Sequence, residues 1–192
     1  MSDEAKEKIL EAGSRCVARN GIRGLRVSDV AKEAGVSNGL IYYHFVDRRG
    51  LLTAMLEFVH RRSRDRLSRR PDSETVDDIL DVLFVDVSED QEVRDNSVVW
   101  NEVRAIAVFE EDLRQALATV TRLWERDTAS DLERLTNVQN PERTALVLTA
   151  LVEGLSSRWL TGQLTADEVK DIIRAVATQL GILGAERTRL AR

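Results

Sequence analysis

The sequence predicts an all-α protein, and three observations carry that prediction. Apolar residues recur at spacings of three and four rather than two along most of the chain. Only two prolines and ten glycines occur among 192 residues, so little interrupts a long helix. Hydrophobic residues make up 43% and charged residues 32%, a balance that suits packed globular helices rather than disordered chain. A chain of this length can bury a sizeable core, as one large domain or two small ones.

The elements follow from stripes and caps. A first helix over about 3–19 places Ile9, Leu10, Gly13, Cys16 and Val17 on one face, and Asn20-Gly21 closes it. A short helix at 28–34 carries Val30, Ala31 and Ala34 inward. Gly35-Val36-Ser37 is a tight turn, with Ser37 placed to cap a helix at 38–44. A long helix, 48–67, presents Leu51, Leu52, Met55, Leu56 and Val59 inward, and its arginine-rich second half reads as a solvated face. Pro71-Asp72-Ser73 marks the boundary after this connecting helix, 48–70. Beyond it, helices are predicted near 74–86, 93–108, 111–135, 141–161 and 166–183. Pro141 opens the fourth of these at a first-turn position, and Thr165 with Glu168 forms a capping box for the last. The tail after Gly184 is predicted to fray.

Charge is unevenly distributed. The net charge is −5, yet residues 1–70 hold fifteen basic and nine acidic side chains, a balance of +6. The remaining residues hold thirteen and twenty-four, a balance of −11. A basic front on an acidic back is the asymmetry of a DNA-binding head on a body that does not bind DNA. No run approaches the ~20 apolar residues of a membrane helix. Met1 to Lys8 lacks the apolar core of a signal peptide, so a cytoplasmic chain without membrane association is expected. The single Cys16 reads as a buried structural residue. His44 and His60 are the only histidines, and no Glu-x-x-His pair, Ser/His/Asp set or phosphate-cradling glycine loop occurs. An enzyme on a helical bundle is therefore the weaker reading, and no catalytic residue, metal or cofactor is expected.

The informative stretch is Val27 to Phe45, VSDVAKEAGVSNGLIYYHF. Two short helices meet through a turn that needs a small, flexible residue, which Gly35 supplies. The second exposes Asn38, Tyr42, Tyr43 and His44, an outer face suited to the major groove of duplex DNA.

This stretch resembles the signature of the tetracycline-repressor (TetR) family of transcriptional regulators. Asp29, Val30, Ala31, Ala34, Gly35, Val36, Ser37, Gly39, Ile41, Tyr42, His44 and Phe45 match it in order, twelve of seventeen positions without a gap. The likeness runs from about Ile9 through Leu52. It implies a helix-turn-helix head over residues 1–47, followed by a helical dimerisation and effector-binding body over 48–192. It also implies Ser37, Asn38, Tyr42, Tyr43 and His44 as DNA contacts, with Gly39 permitting close approach and Arg48 touching a backbone phosphate. Where the family commonly has a capping Thr or Ser, this chain has Arg26, with Ser28 next to Asp29; both are candidate phosphate contacts.

In the body, where Leu146, Val147, Ala150, Leu151, Gly154 and Leu155 form an apolar stripe, the segment Ala150-Leu151-Val152-Glu153-Gly154-Leu155 through Trp159 resembles the penultimate helix of a BetI-like subgroup of that family. It implies a homodimer built by the last two helices as a four-helix bundle, with Ala150, Leu151, Gly154, Leu155, Ile173 and Val176 at the interface. An apolar effector pocket would draw on Phe84, Trp100, Val103, Arg104, Phe109, Leu117, Trp124 and Trp159, with Asn96 or Asn101 as further polar groups. The functional expectation is a repressor released from operator DNA by a small apolar effector. An orphan regulator without a ligand, or an activator, is the alternative within DNA binding.

Overall fold

The computed structural model describes residues 2–68, 76–85 and 87–183. The elements are α1 (Ser2–Asn20), α2 (Val27–Ala34), α3 (Asn38–Phe45), α4 (Arg48–Ser68), α5 (Val76–Phe84), α6 (Gln91–Ala107), α7 (Glu111–Leu135), α8 (Pro141–Leu160) and α9 (Ala166–Gln179). No strand occurs among the described residues. The fold is all-α. Pro71-Asp72-Ser73, Arg69, Arg70 and the tail after Gly184 lie outside the described residues.

By packing, the chain separates into two units: Met1–Asp65 with Asp90–Val120, and Arg66–Glu89 with Thr121–Arg192. This division differs from a cut at residue 47. Helices α1, α2 and α3 share their core with α4 and α6. One cluster joins Ile9, Val17, Ile22, Val30, Ile41, Phe45, Leu51, Leu52 and Met55 to Val99, Val103 and Leu113. Cys16 is buried in it, and that burial pushes its thiol pKa up despite the nearby Arg19.

Local chemistry sets the ends of these helices. Gly35 sits in the left-handed region (φ 66, ψ 37) and directs the amides at the end of α2 to the Ala31 and Lys32 carbonyls. The Ser37 hydroxyl accepts from Leu40 N at 3.2 Å and starts α3. Asp90 caps α6 through the amides of Glu92 and Val93. Asn140 precedes Pro141 at the start of α8. Thr165 and Glu168 form the capping box at α9, whose hydrogen bonds lower the Glu168 pKa.

In the second unit α8 packs on α9, and α5 packs on both. The face of α8 turned into the chain carries Ala145, Leu148, Val152, Leu155 and Trp159. Its opposite face leaves Leu146, Val147, Ala150 and Gly154 exposed, with Leu146 at 53%. A Cβ added at Gly154 would meet nothing within 4 Å. On α9, Val169, Ile173 and Ala177 are buried, Ile172 and Val176 are half-buried, and Leu180 is exposed.

Of the expected interface residues, Leu155 and Ile173 are buried in the protomer's own core. The reason is geometric. A stripe of adjacent pairs is wider than one helix face, so Leu146, Ala150 and Gly154 point out while Leu151 and Leu155 turn progressively inward.

Candidate nucleic-acid interface

The short helix α3 is anchored by Ile41 and Phe45, with the half-buried Leu40 packed against the same cluster. Ile41 and Phe45 are buried, four residues apart on one face. Everything expected to meet DNA lies elsewhere on its surface: Ser37, Asn38, Gly39, Tyr42 and Tyr43 are exposed, and His44 is half-buried. Tyr43 is 79% exposed, far more than a tyrosine serving the fold. Its ring meets His44 edge-on, with centroids 5.2 Å apart, so the two project together from the last turn.

Arg26 and Ser28 are both exposed at the start of α2. Arg26 is extended (φ −112, ψ 136) and makes no side-chain cap. Helix α2 therefore begins without a hydroxyl or carboxylate on its first amides.

Gly39 is tested by the space around it. A Cβ there would meet only the Ser37 Oγ, at 3.8 Å, an ordinary contact. The chain's own packing does not require glycine at this position. Gly39→Ala should leave the melting temperature unchanged or slightly raised, since alanine is favoured by about 0.5–1 kcal/mol within a helix. Its affinity for operator DNA should fall, read by fluorescence anisotropy on a labelled duplex. Equal affinity would remove close approach as the reason for the glycine.

Arg48 departs from its expected place. Its guanidinium turns inward, donating from Nε to the Leu25 carbonyl (3.4 Å) and from Nη2 to the Ile22 carbonyl. It braces the loop between α1 and α2. Glu102 of α6 holds the other side of the same loop, accepting from Ile22 N at 2.7 Å. The loop that leads into α2 is thus gripped from α4 and α6 at once. Arg49, exposed, pairs with Asp112 at 2.8 Å.

Glu33 is a second brace. It accepts from Arg15 Nε (2.9 Å) and Arg19 Nη2 (2.6 Å), tying α2 to α1. Those bonds, chiefly the one from Arg19, lower its pKa to about 2 from an ordinary 4.5. A depressed carboxylate contributes stability above its unfolded pKa and loses it as pH falls through the folded one. The contribution should therefore fade between pH 4.5 and about 2. Glu33→Gln should melt below the unmodified protein at neutral pH, and the gap should close across that window, followed by circular dichroism. A gap unchanged down to pH 2 would contradict the brace.

Arg61 and Arg62 of α4 also have partners within the chain. Arg61 pairs with Glu7, and Arg62 with both Glu11 and Glu92. The arginine-rich half of α4 is thus partly an ion-pair seam against α1 and α6 rather than a freely solvated face.

The residues expected to line an effector pocket do not form one group. Trp100, Val103 and Leu117 pack in the first unit's cluster, and Arg104 lies over the Trp100 ring at 5.8 Å. Phe84, Trp124 and Trp159 pack in or against the second unit's cluster. Phe109 belongs to neither; it is 76% exposed in the turn after α6. Asn101 donates to the Ser97 carbonyl within α6.

A helix-turn-helix with a polar, aromatic recognition face, carried on an all-helical body, defines a DNA-binding transcriptional regulator. Residues 9–55 match the family of bacterial regulatory proteins, tetR family, and residues 71–181 match the BetI-type transcriptional repressor C-terminal family. The chain belongs to the TetR family of transcriptional regulators, with a C-terminal part of the BetI type. It is 27% identical over 195 residues to the HTH-type transcriptional regulator TtgR of Pseudomonas putida, covering 95% of this chain and 92% of the relative. It is 23% identical to the regulator BetI of Paraburkholderia phytofirmans, covering 97% of each. Among solved structures, a TetR-family regulator from Rhodococcus sp. superposes with a TM-score of 0.86 at 39% identity, covering 93% of this chain and 98% of that one. The protein is a DNA-binding regulator and not an enzyme. No helix among the described residues is long and apolar enough to cross a membrane.

Proposed function

We propose that the chain acts in the cytoplasm as a homodimeric repressor that reads operator DNA with α3 and is released by a small-molecule effector. The observation that carries the reading is the exposure of Ser37, Asn38, Tyr42 and Tyr43, with His44 half-buried beside them, on a helix seated through Ile41, Phe45 and Leu40. Within residues 1–47, α3 enters the major groove, its tyrosines and histidine meeting base edges and phosphates. Arg26 and Ser28, with the uncapped amides at the start of α2, take a backbone phosphate. Arg48 acts indirectly, by fixing the loop that leads to α2.

Repression is supported by the likeness of residues 71–181 to BetI-type repressors. The effector is a small, largely apolar molecule, and the aromatic group Phe84, Trp124 and Trp159 of the second unit is its candidate wall. An effector favouring the DNA-incompetent state ~100-fold would shift the equilibrium by ~2.7 kcal/mol, comparable to typical coupling energies between two sites.

Salt and substitution test the DNA reading together. Affinity for operator duplex should fall steeply with salt as neutralised phosphates release counterions. Tyr42→Ala and His44→Ala should each cost about 1–3 kcal/mol of binding. Both variants should fold normally, because neither side chain fills the core. Unchanged affinity in both would show that α3 is not the recognition helix.

A further inference from the structure

We propose that Arg49 contacts a backbone phosphate when the chain binds its operator, and that Asp112 of α7 competes with the DNA for the same guanidinium. The inference rests on the reading of α3 as the recognition helix. Arg49 is exposed on the first turn of α4 and pairs through Nη1 with Asp112 Oδ2 at 2.8 Å, within one packing unit.

The corner between α3 and α4 fixes the stem of Arg49 beside the recognition helix. Val46 N donates to the Tyr42 carbonyl at 3.0 Å and Asp47 N to the Phe45 carbonyl at 2.6 Å. Asp47 then caps the first turn of α4 through Gly50 N, and position 50 lies so close to the Phe45 carbonyl that no Cβ fits between them. The first turn of α4 is thus tied to the end of α3, where Tyr42 and Tyr43 are exposed. Arg48 is turned to the Ile22 and Leu25 carbonyls, so Arg49 is the first exposed cation after α3. Its planar guanidinium matches phosphate oxygens, and its long stem gives it reach.

The pair with Asp112 is readily exchanged. Both side chains are 64% exposed, so water screens the attraction and little stability depends on it. A duplex offers the same guanidinium a dense row of phosphates. The two anions oppose each other, because a phosphate accepted beside the carboxylate would bring like charges together. Asp112 is also held where it stands. It lies in the first turn of α7, where a helix favours an anion. The turn before it is fastened by Arg114, which donates to the Ala107 and Val108 carbonyls and pairs with Glu111. Operator binding therefore draws the guanidinium away from a carboxylate that lies outside the helix-turn-helix, and Asp112 lowers the affinity.

The test is fluorescence anisotropy with variants of the full chain, on the duplex it selects from genomic DNA, over a range of salt. Arg49→Gln should weaken binding about tenfold at low salt and reduce the salt slope by about one. Arg49→Lys keeps the charge and should retain the slope. Asp112→Asn should tighten binding about threefold, and that gain should vanish in the Arg49→Gln background. Both residues are exposed, so the variants should fold, which circular dichroism melting checks. Tyr42→Ala is measured alongside. If it loses binding while Arg49→Gln keeps the unmodified affinity and slope, this proposal falls and the recognition helix stands. Equal tightening by Asp112→Asn with and without Arg49 would reduce Asp112 to general repulsion and overturn the competition. Weaker binding in Asp112→Asn would make it a support for Arg49 and overturn the competition as well.

Discussion

Gly50→Ala is expected to destabilise the helix-turn-helix by about 3 kcal/mol or more and to remove operator binding, although it replaces the poorest common helix former with the best. The cause lies in the corner between α3 and α4. A Cβ at Gly50 would stand 2.1 Å from the Phe45 carbonyl oxygen, and that oxygen is backbone with no rotamer to retreat into. The corner itself has no slack. Val46 is held at φ 64, ψ −55, a region that β-branched residues rarely occupy, and Asp47 N closes the turn onto the Phe45 carbonyl at 2.6 Å. Asp47 then caps α4 through Gly50 N at 2.8 Å. An added methyl must push α4 away from α3, unseating Phe45 from the core and moving the recognition face. Urea denaturation and duplex binding check both effects. A Gly50→Ala protein that melts and binds like the unmodified one would refute the close approach.

The second large effect concerns the outer face of α8. Ala150→Glu should yield folded monomers that no longer hold a two-fold operator, because the side chain is exposed in one protomer but covered in the proposed dimer. Each dimer would then bury two carboxylates near the symmetry axis, each without a partner, at a cost of several kcal/mol. Ile173→Glu provides the contrast. Ile173 is fully buried in its own chain, so that variant should unfold rather than dissociate. Light scattering with circular dichroism separates the two outcomes. A dimeric Ala150→Glu protein would move the interface elsewhere on the molecule.

Local chemistry was legible in the sequence, and long-range contacts were not. Ser37, Gly35, Pro141 and the Thr165–Glu168 box act within four residues of themselves, so their roles follow from order alone. Stripes at three and four located the helices for the same reason. For Arg48 the family resemblance implied a phosphate contact, and sequence order alone could not show its partners within the chain. Its partners, Leu25 and Ile22, lie 23 and 26 residues away and meet it only after folding. Glu102 is missed similarly: its bond to the Ile22 amide spans 80 residues. That bond and the packing of α1 on α6 also explain why the first unit extends past the helix-turn-helix. Hydrophobicity misled at Phe109, which lies in a turn where no neighbouring element covers it. In α8, a stripe of adjacent pairs could not tell the inward face from the outward one. The burial of Leu155 beside the exposed Gly154 resolves it.

In the proposed dimer, two copies of α3 read one symmetric DNA site. The most direct measurement is a hydroxyl-radical footprint of the full chain on the duplex it selects from its own genome, with bound mass determined in parallel. The account predicts two protected patches related by a two-fold axis, their centres about one helical turn apart, ~34–36 Å or somewhat more. It predicts an even number of protomers on each duplex, and loss of both patches in Tyr42→Ala with His44→Ala. A single asymmetric patch held by one protomer, or protection that survives that double substitution, would contradict it.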